Sequence, residues 1–221
     1  MATFTDGFGG DVQTYIDTYL DLDNGGTNYG GQTWLQLHYK DVDSQVAHDS
    51  LLKFTLGSLA GSTVTSATLY LYELGWGAGA YTAGVYRILV ANSAWTEADS
   101  TWDHEVDGVS RWAGDAGGDG GNDAGCSVSG TDYNAASMGT LNGDGDNVGG
   151  TEYAVSLNIA QVQAMIDDAD YGLILIPTDT NNATQFLASS DHGTGGWRPK
   201  LTIEYHAPRP PAAYFDGPTI F

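Results

Sequence analysis

Cationic side chains are scarce in this 221-residue chain: seven Lys and Arg stand against 28 Asp and Glu, for a formal charge of −21 and a pI of about 4.1. So few cations cannot neutralise a run of phosphates, which excludes nucleic-acid binding through a basic surface. An anionic membrane would repel the chain for the same reason. Cysteine occurs once, at Cys126, so neither an intramolecular disulfide nor a multi-cysteine zinc site can form. No apolar run approaches the roughly 20 residues that span a bilayer, so membrane insertion is not expected. The opening Met1-Ala2-Thr3-Phe4-Thr5-Asp6-Gly7-Phe8 lacks a basic n-region and an apolar h-region, so no secretory signal is expected there.

What is abundant points to β structure. Asp supplies 23 of the 28 acids and Gly numbers 31, and both favour turns over helix interiors. A hydrophobic content of 41 % is enough for a core, and the length suits one sandwich-sized domain. In residues 15–22, Ile16, Thr18, Leu20 and Leu22 fall on one face, with Asp17, Tyr19 and Asp21 on the other. Residues 34–39 place Leu35, Leu37 and Tyr39 inward, with Trp34, Gln36 and His38 outward. Residues 51–56 bury Leu52, Phe54 and Leu56. In 64–74, Ala67, Leu69 and Leu71 alternate with Thr68, Tyr70 and Tyr72. Residues 85–90 are apolar on both faces apart from Arg87 and read as a central strand, and 171–176 is a continuous apolar run closed by Pro177. The alternation of 153–159 and the segments 185–190 and 201–205 complete the set.

One short helix is predicted after Asn158, with Asn158 as cap, Gln161 as its capping-box partner, and Val162, Met165, Ile166 and Ala169 on one face. Residues 113–150 form a Gly/Asp-rich stretch read as a loop insertion. Residues 206–221 hold four of the six prolines and read as an extended C-terminal arm. The arm ends in Tyr214, Phe215, Ile220 and Phe221, apolar residues that either pack back on the domain or dock on a partner. The expected architecture is an all-β, antiparallel, jelly-roll-type sandwich over 1–205, followed by this arm.

The residues offer no catalytic constellation. The five His are scattered, and Cys126 has no adjacent base. No serine sits in a nucleophile-elbow pattern. Structural calcium is the one cofactor the sequence suggests, because hard cations take oxygen ligands from Asp/Asn/Gly loops. Its candidate ligands are Asn142, Asp144 and Asp146, with Asp17 near the first strand. Sugar binding would use exposed rings: Trp34, Tyr70 and Tyr72 on strands, and Trp76, Tyr81 and Trp197 in loops. Trp95 and Trp102 read as core or corner packing. A polyanionic glycan fits poorly against a molecule of this charge unless calcium bridges the two.

The ordered strands resemble the DNRLRE domain family, a β-sandwich module related to carbohydrate-binding modules. The resemblance is carried by Asp17-Thr18-Tyr19-Leu20, Asn28-Tyr29-Gly30, Leu51-Leu52-Lys53-Phe54, residues 64–72, Val85-Tyr86-Arg87, Trp95-Thr96-Glu97, Thr101-Trp102, Tyr171-Gly172-Leu173, Phe186, Ser189-Ser190 and residues 198–205. It departs from the family at Asp49-Ser50, where a basic residue is expected. The resemblance implies a non-catalytic module. It also implies two settings: a displayed virion protein, or a carbohydrate-binding module of a polysaccharide-degrading or cell-surface system. The virion setting predicts capsid neighbours or copies of itself as partners, with a trimer expected. The arm would anchor the protein at the virion surface, where it could touch cell-surface glycans. The second setting predicts an extracellular glycan partner.

Overall fold

Period-two alternation builds most of the chain into strands, as expected. The computed structural model describes residues 1–7, 15–39, 47–75, 79–115, 125–144, 149–168, 172–179 and 184–208. Its strands are β1 (Ala2–Gly7), β2 (Ile16–Asp21), β3 (Trp34–Leu37), β4 (His48–Lys53), β5 (Thr63–Glu73), β6 (Tyr81–Arg87), β7 (Gly139–Gly143), β8 (Thr151–Ser156), β9 (Leu173–Pro177), β10 (Gln185–Ala188) and β11 (Lys200–His206). The helix α1 spans Ile159–Asp168.

Two antiparallel sheets form. Sheet A runs β1-β11-β5-β10-β3 with β8 also on β5, and sheet B runs β2-β4-β9-β6-β7. Among these strands only β6 and β7 are neighbours both along the chain and in a sheet, so nearly every connection crosses the molecule. Leu35, Leu69, Leu71, Leu187, Leu201 and Ile203 of sheet A meet Leu52, Val85, Leu173 and Leu175 of sheet B in the main core. Burial of each such side chain contributes about 1.5–3 kcal/mol. Helix α1 adds Val162, Met165 and Ile166 to this core. Its Gln163 reaches the start of β5, accepting from Val64 N–H at 2.9 Å and donating to Ser62 O at 3.0 Å.

The outer face of sheet B is not left to solvent. Leu20, Leu51, Ile88 and Ile174 line that face beneath a second core made by Trp95, Trp102, Trp112 and Cys126. All four covering residues come from the connection between β6 and β7. Acidic side chains brace this layer from within. The buried Asp132 carboxylate accepts from Asn92 Nδ2 (2.8 Å), Gly114 N–H (2.7 Å) and Val128 N–H (2.8 Å). Buried Glu105 accepts from Ala94 N–H (2.7 Å) and Ser110 Oγ (3.1 Å). Trp112 Nε1 donates to Thr101 O at 3.0 Å. Trp95 and Trp102 are therefore packing residues, as read.

Three local readings change. Residues 139–143, inside the stretch read as a loop, pair with β6 as β7 because Leu141 has a core site opposite Ala83. Ile159 opens α1 rather than closing a strand. Asn158 Oδ1 does accept Gln161 N–H (3.1 Å), but the Gln161 side chain donates to Ala136 O and Ser137 O, so no reciprocal capping box forms. Ala169 lies outside the described residues.

Candidate binding surface

With sheet B covered, the outer face of sheet A is the open one, and β5 supplies its aromatics. Leu69 and Leu71 point inward, so Thr68, Tyr70 and Tyr72 point outward. Cross-strand register sets Lys200 of β11 opposite Tyr70 and Glu152 of β8 opposite Tyr72. The Lys200 ammonium lies 4.2 Å from the Tyr70 ring centroid, a cation–π contact. The Tyr72 hydroxyl hydrogen-bonds Glu152, which pushes its pKa above the ordinary tyrosine value.

The segment between β10 and β11 completes the surface. Trp197 runs nearly parallel to Tyr72, with centroids 6.3 Å apart and planes at 9°. His192 runs nearly parallel to Trp197, at 5.4 Å and 15°. Fully overlapped rings would bring the centroids closer, so each ring is offset and part of its face is not covered by its neighbour. Gly150 makes the approach of Trp197 possible: its φ is +94°, and a Cβ there would sit 2.9 Å from the indole. All three rings are partly exposed.

This segment is pinned from several sides. Arg198 Nε donates to His192 O (2.9 Å), and Ser189 Oγ donates to Gln32 O (2.6 Å). Ser190 is tied across the sandwich to Asp17 of β2. Its N–H donates to Asp17 Oδ2 at 2.7 Å, and its Oγ lies 3.1 Å from Asp17 Oδ1 and 3.4 Å from Glu97 Oε1. Burial pushes the Asp17 carboxyl up to about 8 and raises that of Glu97 as well. The Ser190 hydroxyl is the donor in both contacts, to Asp17 Oδ1 and to Glu97 Oε1.

The sequence candidates divide accordingly. Tyr70, Tyr72 and Trp197 come together on this face. Trp34 is on edge strand β3, half-buried and hydrogen-bonded to the Tyr19 hydroxyl. Tyr81 is corrected outright. It opens β6 rather than lying in a loop, and it is 5 % exposed. Its register partner is Gly143, whose lack of a side chain admits the ring. Trp76, Asp146 and the arm residues Tyr214, Phe215, Ile220 and Phe221 lie outside the described residues.

The calcium candidates belong to two separate stretches, and Asp146 of the first lies outside the described residues. Asn142 is on β7 and Asp17 on β2, at opposite edges of sheet B and four strand spacings, roughly 19 Å, apart. Asp144 follows β7 and hydrogen-bonds Tyr153 Oη, and both Asp17 oxygens are engaged by Ser190. Among the described residues no group of three or more His, Cys, Asp or Glu is arranged to hold a metal ion. His192, Glu152 and Lys200 were missed as site residues. Alternation around Tyr153 already places Glu152 outward, whereas nothing local marks His192.

The comparisons with known proteins follow this geometry. No curated protein matches the chain. Residues 11–107 match the model of carbohydrate-binding module family 96. The matched stretch runs from before β2 through β6 into the tryptophan layer, and it includes Tyr70 and Tyr72 but not Glu152, His192 or Trp197. Over that stretch the chain is similar to a carbohydrate-binding module.

Proposed function

We propose that this protein is a non-catalytic carbohydrate-binding module that holds a glycan against the outer face of sheet A. The observation that carries the reading is the set of near-parallel, offset rings of Tyr72, Trp197 and His192, flanked by Glu152 and Lys200. Sugar rings present apolar C–H faces to aromatics and hydroxyls to flanking polar groups, and this surface supplies both. Ser66, Thr68, Tyr70 and Tyr72 continue one outward row over seven residues of β5, roughly 20 Å, which accommodates several sugar units. The family similarity over residues 11–107 supports the same class. This function places the protein where glycans are met, outside the cell or on a displayed surface.

The test is binding to an array of plant, algal and microbial polysaccharides, followed by titration of the best ligand. Trp197→Ala is expected to weaken binding about tenfold to a hundredfold, as for a central aromatic contact. Full retention of affinity in Trp197→Ala, or no glycan bound by the wild-type protein, would refute the proposal.

A further inference from the structure

A groove of about 410 Å³ lies where edge strand β2 of sheet B meets edge strand β3 of sheet A. Four segments form it: Ile16 of β2, Gly30 and Gly31 of the β2–β3 connection, residues 96–98 beside Trp95, and Asp191 of the β10–β11 connection. Asp191 directly precedes His192, so the groove adjoins the aromatic surface of sheet A. Hydrogen bonds hold its walls in place. Asn28 Nδ2 donates to Glu97 O and Ser100 O, both at 2.8 Å, and Gly30 N–H donates to Asn28 Oδ1 at 3.1 Å. A Cβ on Gly30 would strike the Glu97 carbonyl, so glycine is what lets these two segments meet. Asp191 N–H donates to Ser189 Oγ at 3.1 Å, and Ser190 Oγ donates to Glu97 Oε1 at 3.4 Å. A groove braced in this way is formed before a ligand arrives, which lowers the ordering cost of binding.

We propose that this groove is a second sugar subsite, taking an uncharged unit of the same glycan chain that lies on Tyr72 and Trp197. The proposal rests on the carbohydrate-binding reading and extends its site around the edge of the sandwich. The size fits: small-molecule clefts run from roughly 300 to 1,000 Å³, and about 410 Å³ in an open groove suits one ring whose neighbours continue outside it. Ile16, Ala98 and the bare glycine backbone offer apolar surface to the C–H faces of a sugar. The Asp191 carboxylate is exposed and accepts no hydrogen bond from the described residues, so it offers an acceptor to sugar hydroxyls. Charge decides the class of the unit. Asp191 shares the groove with Glu97, whose carboxyl is raised by burial and then by the Asp191 charge. A uronate or sulfated unit would bring a third anion to this place, while a neutral unit brings only hydroxyl donors.

The experiment titrates the full chain by calorimetry with cello-, manno- and laminari-oligosaccharides of increasing length, and with oligoglucuronates. The expected result is binding of at least one neutral series and of no glucuronate, with an affinity that rises with length. Gly31→Phe fills the groove from a position where a Cβ meets nothing within 4 Å. It should cancel the gain from added length, about tenfold for the longest oligomer, and leave the shortest oligomers unchanged. Trp197→Ala should weaken binding at every length. Ala98→Phe, from another exposed position of the wall, repeats the test if Gly31→Phe does not fold. Filled grooves that bind long oligomers as tightly as wild type would overturn the subsite, as would an equal loss at every length or a wild-type affinity that does not rise with length. Binding of glucuronates alone, or Trp197-dependent polysaccharide binding with no neutral oligosaccharide bound, would overturn the subsite and leave the sheet A surface standing. Absence of any carbohydrate binding would overturn both.

Discussion

Replacing Asp17 by Asn should flatten the pH dependence of stability in a direction opposite to that of most salt-bridged acids. Asp17 is fully buried, and its carboxyl is raised from 3.8 to about 8. Between these values the native protein holds a proton that the unfolded chain has released, so stability falls as pH rises. The contribution is fully present below about pH 4 and is lost as pH climbs through about 8. The slope is about 1.4 kcal/mol per pH unit, so between about pH 5 and pH 7 this one group costs about 2–3 kcal/mol. His38 and His48 work the other way. Burial lowers both, so their contribution grows with pH in the range below their ordinary value. They titrate equally in wild type and Asp17→Asn, and therefore cancel in the difference. Urea unfolding at pH 5, 6 and 7 reads that difference directly. The wild-type advantage over Asp17→Asn should shrink by about 2–3 kcal/mol, or roughly 1 M in midpoint, across the series. An advantage that stays constant or grows with pH would refute a raised Asp17 carboxyl. Because Ser190 opens the segment carrying His192 and Trp197, the same series should show whether the aromatic surface loosens as the tie ionises.

Two further outcomes test the packing. A Cβ on Gly143 would lie 1.9 Å from the Tyr81 ring, so Gly143→Ala should cost about 1–3 kcal/mol and lower Tm by several degrees, while Gly31→Ala, with nothing within 4 Å of its Cβ, should leave Tm unchanged; equal melting of the two would show that Tyr81 does not occupy that site. Cys126 is buried beneath the tryptophan layer and its thiol is raised well above the ordinary value, so it should resist Ellman's reagent until denaturant is added, and stoichiometric labelling of the native protein would contradict the second core.

The sheets were legible because alternation is a local property. Leu69 and Leu71 against Tyr70 and Tyr72 reads the same in sequence and in space, and so does the two-faced apolar run of 173–176. Tyr81 was misread because its burial depends on Gly143, 62 positions away, whose significance exists only once β6 and β7 pair. The 113–150 stretch looked solvated for a related reason. Its Asp and Gly residues suggest turns, but Asp132 lies inside the molecule and accepts from Asn92, Gly114 and the nearby Val128. His192 joins the aromatic surface through a stack on Trp197 that no periodicity predicts. Packing between side chains, not composition, decides each of these cases.

The placement of the binding surface then follows from an exclusion. A two-sheet sandwich has four faces, and the two inner ones form the main core. The outer face of sheet B carries Leu20, Leu51 and Ile174, which could not remain in water, and the β6–β7 connection covers it with Trp95, Trp102 and Trp112. That leaves the outer face of sheet A, where β5 alternates toward Thr and Tyr instead of Leu. Its exposed aromatics are not needed by either core, and two of the chain's seven cations, Arg198 and Lys200, lie beside them in a molecule of charge −21. Stability accounts for the tryptophans on one side of the sandwich; on the other, Trp197 and Tyr72 are left for recognition.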